Sequence, residues 1–340
     1  MIRVHPFATS DSSTPRRPGA SISATTGAID PGSLGPLGAL LTLLKRKAYR
    51  FVTPTPATHA RILAREPGRI AADLRDVFGW SLPFAQDVIG EDLLRLLREA
   101  DMVEDLPTGL ARARLRVSSL GEDLFLHSAY PTDTADSVFF GPDSYRFADL
   151  IGAELSARPV RPGACIFDIG TGAGVGASVA SSLSPGASIF MTDVNARALH
   201  FASINLAVAG RHALAVHLDG LRDIAVPVDL GLINPPYLMD ADVRAYRDGG
   251  GQLGAEVALS LVGQCLDRLS PDGRIILYTG SAIVAGVDGL RNSLERLARA
   301  NRCRLRYREL DPDVFGEELE GEAYRAVERI ALVAASLERV

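Results

Sequence analysis

Ala164-Cys-Ile-Phe-Asp-Ile-Gly-Thr-Gly-Ala-Gly-Val-Gly176 is the stretch that decides the fold of this chain. It reads as a buried strand running into a glycine-rich turn and then a helix. Glycine suits such a turn because the backbone must bend tightly and admit a ligand without interference from Cβ. On both sides of it, strand-like runs alternate with helix-length segments. The runs are Cys165–Ile169, Ser188–Thr192, Leu214–Leu218, Val228–Ile233, Arg274–Thr279, Arg302–Leu310 and Ala326–Ala335. Between them lie Gly176–Leu183, Ala196–Ala209, Ala255–Leu269 and Gly289–Ala300. This alternation predicts an α/β fold, a mostly parallel sheet with helices on both faces. The last two runs follow each other without a full helix, which predicts an antiparallel edge pair.

The preceding residues have another texture. Residues 1–35, rich in Ser, Thr, Pro and Gly and without an apolar core segment, read as a flexible tail and not as a secretory signal. Helical spacing of apolar residues follows over Leu37–Tyr49, Ala57–Ala64, Ile70–Phe78 and Asp92–Ala100. Leu115–Leu120 and Leu124–Leu126 then read as short strands around Gly121. Residues 36–135 are therefore expected to form a smaller, mainly helical domain, of winged-helix type in one reading, that recognises the substrate. Residues 136–340 are expected to form a second, sheet-bearing domain, with the junction between Tyr130 and Gly141. Lys45, Arg46, Lys47, Arg50, Arg61, Arg65 and Arg69 make a basic run opposed only by Glu66. It reads as a solvated face, or else as a docking site for phosphate or an acidic protein.

Asp168 ends its strand just before the glycines, where a carboxylate can hold the ammonium group of a methionine moiety. An anionic pyrophosphate would be repelled there, so a dinucleotide is the poorer reading of Gly170, Thr171, Gly172 and Gly174. Asp193 ends the next strand about 20 residues further on, the place for a carboxylate accepting both hydroxyls of a ribose. Val194 follows it. Asp219, after the third strand, can accept a hydrogen bond from an adenine amino group. Each carboxylate has a plainer reading: Asp168 capping the following turn, Asp193 capping the helix near Ala196, Asp219 closing a turn with Gly220.

At the end of the fourth strand stands Asn234-Pro-Pro-Tyr237. Two prolines fix φ and make the loop rigid. Rigidity matters because an amide or exocyclic amino nitrogen is a poor nucleophile. The Asn234 side-chain oxygen and the Pro235 carbonyl can each accept one N–H bond, Pro236 holds the turn, and Tyr237 can stack on the planar group. Catalysis would come from positioning and from bonds that strengthen as the nitrogen becomes positive.

With these motifs in view, residues from about 139 to 336 resemble class I S-adenosylmethionine-dependent methyltransferases. The likeness is to release-factor glutamine methyltransferases and small-domain ribosomal RNA guanine methyltransferases. It rests on Asp168–Gly174, Thr192–Leu199, Asn205 and Asn234–Tyr237. Phe139-Phe-Gly-Pro-Asp-Ser-Tyr145 is similar to the segment that closes over the cofactor in these enzymes, which implicates Phe140 and Tyr145. Arg247–Gly254 is similar to the glycine-containing loop that follows their Asn-Pro-Pro-Tyr. The resemblance implies a Rossmann-like seven-stranded sheet, S-adenosylmethionine as cofactor, and transfer to a planar nitrogen. The chain departs from the glutamine enzymes in its N-terminal half and in the segment after Tyr237.

Net charge is −5, which excludes a global attraction for nucleic acid. Cys165, Cys265 and Cys303 show no metal or disulfide spacing. His59, His127, His200, His212 and His217 lack ligand spacing, so no metal is expected. No apolar run approaches the ~20 residues that cross a bilayer, and a cytoplasmic protein without membrane partners is expected. Asp311–Glu318 reads as a solvated acidic loop or as a lid over a cationic substrate. Three functions remain: a protein or RNA N-methyltransferase, a small-molecule N-methyltransferase, and a non-enzymatic cofactor-binding regulator on DNA.

Overall fold

Apolar runs of five or six residues, flanked by turn-forming glycines and prolines, make the centre of the sheet. The computed structural model describes residues 34–240, 244 and 246–340; the tail expected over residues 1–35 lies almost wholly outside them. The N-terminal elements are α1 (Gly35–Arg46), α2 (Pro56–Leu63), α3 (Leu74–Phe78), α4 (Glu91–Glu99), β1 (Val103–Asp105), β2 (Ala111–Ala113), β3 (Leu115–Leu120) and β4 (Asp123–Ser128). After α5 (Pro142–Ala157) come β5 (Cys165–Ile169), α6 (Val175–Leu183), β6 (Ser188–Asp193), α7 (Ala196–Val208), β7 (Leu214–His217) and β8 (Val228–Ile233). The chain ends with α8 (Glu256–Leu266), β9 (Leu269–Val284), β10 (Val287–Asp288), α9 (Gly289–Ala300), β11 (Cys303–Asp311) and β12 (Arg329–Arg339).

Seven strands lie side by side in the order β11-β12-β9-β8-β5-β6-β7, with β10 folding back on β9. The pairs β5–β6, β5–β8, β6–β7 and β8–β9 are parallel, and β12 is antiparallel to both β9 and β11. The α/β Rossmann-like expectation holds, and the last two strands do pair antiparallel. Of the two, β11 is the edge strand and β12 lies between it and β9. Apolar clusters fill both faces of the sheet. On one face α8 comes so close to β8 that a Cβ on Gly231 would stand 2.5 Å from Cys265 Sγ.

The N-terminal half differs in detail from its expectation. Residues 70–73 are not helical, since Asp73 caps α3 by accepting from the Asp76 N–H. The ribbon that follows the helices is β1–β2, extended by a bridge between Phe84 and Ala111. Its three-residue strands, carrying Glu104, Asp105 and Arg112, leave no apolar alternation to read. The hairpin expected around Gly121 is β3–β4, and it packs on α7. The apolar core around α1, α3 and α4 continues into Ala173, Val175, Phe201 and Ile204 of the sheet-bearing half. Of the basic run, Lys45 pairs with Asp123, Arg50 with Glu122 and Arg69 with Asp76.

Asn205, 1% exposed on α7, ties the two halves together. Its side chain accepts from Leu126 N (2.8 Å) and donates to Leu126 O (3.2 Å) and Ala173 O (3.0 Å). The outer edge of β4 and the glycine turn thus share one amide. Asn205→Ala would orphan three buried backbone groups and is expected to cost about 2–4 kcal/mol of unfolding free energy in urea titration. A loss below about 1 kcal/mol would show that water replaces the amide.

Candidate functional site

The carboxyl ends of β5, β6, β7 and β8 open together on one side of the sheet, as parallel strands require, and a cavity of about 400 Å³ lies there. That volume is within the range of about 300–1,000 Å³ common for small-molecule sites. Its wall includes Asp168, Gly170, Thr171, Gly172, Asp193, Val194, Asp219 and Asn234–Tyr237. Residues far apart in sequence are therefore brought to one place.

The glycine turn takes the form its composition requires. Gly170, Gly172 and Gly174 have φ of 70°, 53° and 85°, a region that residues with a Cβ enter at a cost. A Cβ on Gly170 or Gly172 would meet nothing within 4 Å, so both face open space. Gly174 is the N-cap residue of α6, packed under Ala202 and Leu206, and is not part of the wall. The turn is fastened to β6 by Gly170 N and Thr171 N donating to Thr192 O, and by Gly172 N donating to Asp193 Oδ2 at 2.9 Å.

The three carboxylates differ. Asp168 is 2% exposed, and its Oδ2 accepts from Thr171 Oγ1 (2.5 Å) and Ala177 N (2.9 Å). It therefore does cap the start of α6, and it does so while lining the cavity. Burial, reinforced by Asp193, raises its pKa from 3.8 to about 7 against those hydrogen bonds. Asp193 is not the cap of α7. Asn195 fills that role by accepting from Arg197 N, while Asp193 Oδ1 accepts from Asn195 N at 2.8 Å. Burial raises Asp193 as well. The Asp219 side chain is 56% exposed and lies 3.1 Å from Arg222.

Asn234 is half-buried, and its amide has no hydrogen bond to any described residue. The loop around it is tightly held. Tyr237, 8% exposed, donates its hydroxyl to Asp143 Oδ2 at 2.7 Å, and its ring meets Phe315 edge-on at 5.9 Å. The expected freedom of Tyr237 to stack is thus constrained by its anchoring. The glycine-containing loop wraps this backbone: a Cβ on Gly254 would lie 2.2 Å from Tyr237 O. Gly249 N donates to Leu238 O at 2.7 Å.

Phe140 and Tyr145 do not reach the cavity. Phe140 is fully buried against Phe125, His127 and Tyr145, and the Tyr145 hydroxyl accepts from Thr53 N. Their neighbours Phe139, Asp143 and Ser144 line it instead. The segment thus borders the cavity through residues other than the two expected. Sequence reasoning missed Phe315, which the acidic loop delivers to the wall. That loop is neither bare nor free: Asp311 pairs with Arg146 and Glu318 with Arg247. Among the described residues there is no cluster of three or more His, Cys, Asp or Glu able to hold a metal, and no helix long and apolar enough to cross a membrane.

Asp168 gives the site a pH signature. Below about pH 4 the group is protonated folded or unfolded; as pH rises to about 7 the unfolded chain ionises while the folded one keeps its proton. Its contribution to stability therefore falls across that window and levels off above it. Asp168→Asn should remove this part of the decline, so that the ligand-free variant melts with a shallower pH dependence than the wild type. Parallel melting curves over the window would refute the assignment.

Residues 153–295 match the family model described as Methyltransferase small domain. The release factor glutamine methyltransferase of Deinococcus radiodurans is 32% identical over 123 residues, 33% of this chain and 44% of that protein. Ribosomal RNA small subunit methyltransferase C of Serratia proteamaculans is 29% identical over 175 residues, 46% of this chain and 49% of that protein. The chain thus spans about half the length of the curated relatives it matches. Among solved structures, a SAM-dependent methyltransferase from Agrobacterium tumefaciens is similar at 18% identity and a TM-score of 0.44, over 67% of this chain and 70% of that one.

Proposed function

We propose that this chain, whose residues 153–295 match the methyltransferase small domain, transfers a methyl group to a planar amide or exocyclic amino nitrogen of a protein or RNA acceptor. The cofactor of that domain is S-adenosylmethionine, and the residues present fit it. The bare turn at Gly170 and Gly172 leaves room for backbone contact, and carboxylates stand at three neighbouring strand ends. Asp168 would face the amino group of the methionine portion, Asp193 the ribose hydroxyls, Val194 and Asp219 the adenine. When bound, the cofactor supplies an electrophilic methyl group on a sulfonium.

The observation that carries the reading is the Asn234 amide, which has no hydrogen-bond partner among the described residues and stands in the cavity wall within a loop held by Asp143 and by Gly249 and Gly254. A side-chain oxygen left without a donor there is ready to accept an N–H from a ligand, and the Pro235 carbonyl offers a second acceptor. Two acceptors in fixed directions orient the nitrogen lone pair, which favours reaction by positioning. As the nitrogen gains positive charge, both hydrogen bonds strengthen, so they stabilise the transition state more than the ground state. The product ammonium is acidic enough to lose its proton to water, so no general base is needed.

A small-molecule acceptor is the second reading, and one observation favours it. The arginines beside the cavity are already matched: Arg247 with Glu318 and Asp240, Arg244 with Asp240, Arg197 with Asp136. Such a mouth gives little pull on phosphates.

Incubation with methyl-labelled S-adenosylmethionine and cell lysate, followed by fractionation into protein, RNA and small molecules, separates the readings. Label in one fraction names the acceptor class. Label in none, with cofactor binding intact, would favour the non-enzymatic regulator. Asn234→Ala should bind S-adenosylhomocysteine as the wild type does and lose at least about 100-fold in transfer. Full activity in that variant would overturn the planar-nitrogen mechanism.

A further inference from the structure

Asp143 is the second residue of α5, 7% exposed, and it lines the cavity. Both of its carboxylate oxygens are engaged by phenols. Oδ2 accepts from Tyr237 at 2.7 Å, and Oδ1 accepts from Tyr278 of β9 at 2.8 Å. Arg146 approaches Oδ1 only to 3.9 Å. Two residues beyond Tyr278, on the same face of β9, is Gly280. A Cβ there would lie 2.4 Å from Cδ2 of the Tyr237 ring, so that ring rests on bare strand backbone. The Tyr237 hydroxyl has no other acceptor among the described residues. Its ring is thus fixed at the hydroxyl end by Asp143, beneath by Gly280 and at its edge by Phe315.

We propose that Asp143 is a positioning residue for methyl transfer, holding Tyr237 on β9 so that the loop from Asn234 to Tyr237 keeps one conformation. The inference rests on the reading of that loop as the acceptor site. Asp143 comes from the helix that begins after the segment 137–141, whose residues Ser137, Val138 and Phe139 also line the cavity. The same carboxylate therefore couples the wall beside the cofactor to the loop that presents the acceptor. Removing it leaves Tyr237 with a buried, unsatisfied hydroxyl that must turn to find a partner. Asn234, three residues upstream, then loses its fixed direction. Ångström-scale misplacement of this kind is expected to slow transfer by about 100-fold without weakening cofactor binding.

The test uses the full chain as Asp143→Ala, Asp143→Asn, Tyr237→Phe and the double variant Asp143→Asn with Tyr237→Phe. Three quantities are read: amide hydrogen exchange at Tyr237, Leu238 and Met239, S-adenosylhomocysteine binding by calorimetry, and label transferred into lysate. Asp143→Ala should speed exchange about tenfold and depress transfer, with the dissociation constant for S-adenosylhomocysteine within about twofold of wild type. Tyr237→Phe should behave alike, and the double variant should be no worse than the poorer single one. Asp143→Asn keeps one acceptor oxygen and should fall between wild type and Asp143→Ala; it decides the matter if Asp143→Ala does not fold. Unchanged exchange in the single variants, additive losses in the double variant, or cofactor-product affinity falling in step with transfer would each overturn the proposal. If the wild type labels no fraction, the acceptor reading has failed, while exchange and its non-additivity still judge the contact itself.

Discussion

A carboxylate leaves water only if donors meet it, and the cavity is built around three places where this protein satisfies that condition. Asp168 is met by Thr171 and by the first turn of α6, Asp193 by the backbone of Gly172 and Asn195, and Asp143 by two phenols. Each set of donors comes from a different element than the acid. Satisfying the acids therefore fixes the elements relative to one another. The glycine turn is locked to β6, α6 is locked to β5, and α5 is locked to β9 and to the loop that follows β8. Burial pushes the pKa of all three acids upward, so the locks sit where charge is costly.

The N-terminal half enters this arrangement as a support. Asn205 joins β4 to the glycine turn, and Arg211 pairs with Asp123 while donating to Ser178 on α6. Phe140 and Tyr145 are held by β4 and by the stretch before α2, which leaves Phe139 on the cavity side. A displacement of the hairpin β3–β4 would be felt at both the turn and the segment over the cavity. The coupling is carried by packing and hydrogen bonds, and the same contacts that stabilise the fold also shape the site.

Much of this was legible in the chain. Runs such as Ser188–Thr192 and Val228–Ile233 are apolar because both faces of their strands are covered, and that leaves a clear trace. The acids at strand ends and Asn234–Tyr237 were found because local spacing places them. The position of β12 was not legible, since strand order depends on which edge is free and not on any residue in it. Nor was the side of the Phe139–Tyr145 segment that faces the cavity. There the backbone turns from extended to helical at Gly141, and the phase of that change is set by contacts with β4 and β9 that are remote in sequence. The plainer alternative for Asp193, capping α7, falls to Asn195 instead, because two short polar residues beside one helix start compete for a role that geometry alone assigns.

Charge placement at the mouth constrains how an acceptor is chosen. The acidic loop spends Asp311 and Glu318 on Arg146 and Arg247, and Asp240 holds Arg244. With these charges mutually compensated, long-range attraction contributes little, and on the proposed reading selection would fall to shape and to the directional acceptors at Asn234 and Pro235. A rigid loop would suit that task, because a pair of fixed acceptors would reject a nitrogen that cannot present its hydrogens at the right angle. Rigidity in turn comes from two prolines within the loop and from contacts outside it: Gly249 and Gly254 packed on its backbone, and Asp143 at the end of Tyr237. The acceptor geometry is thus a property of the assembled fold, even though the motif that announces it is only four residues long.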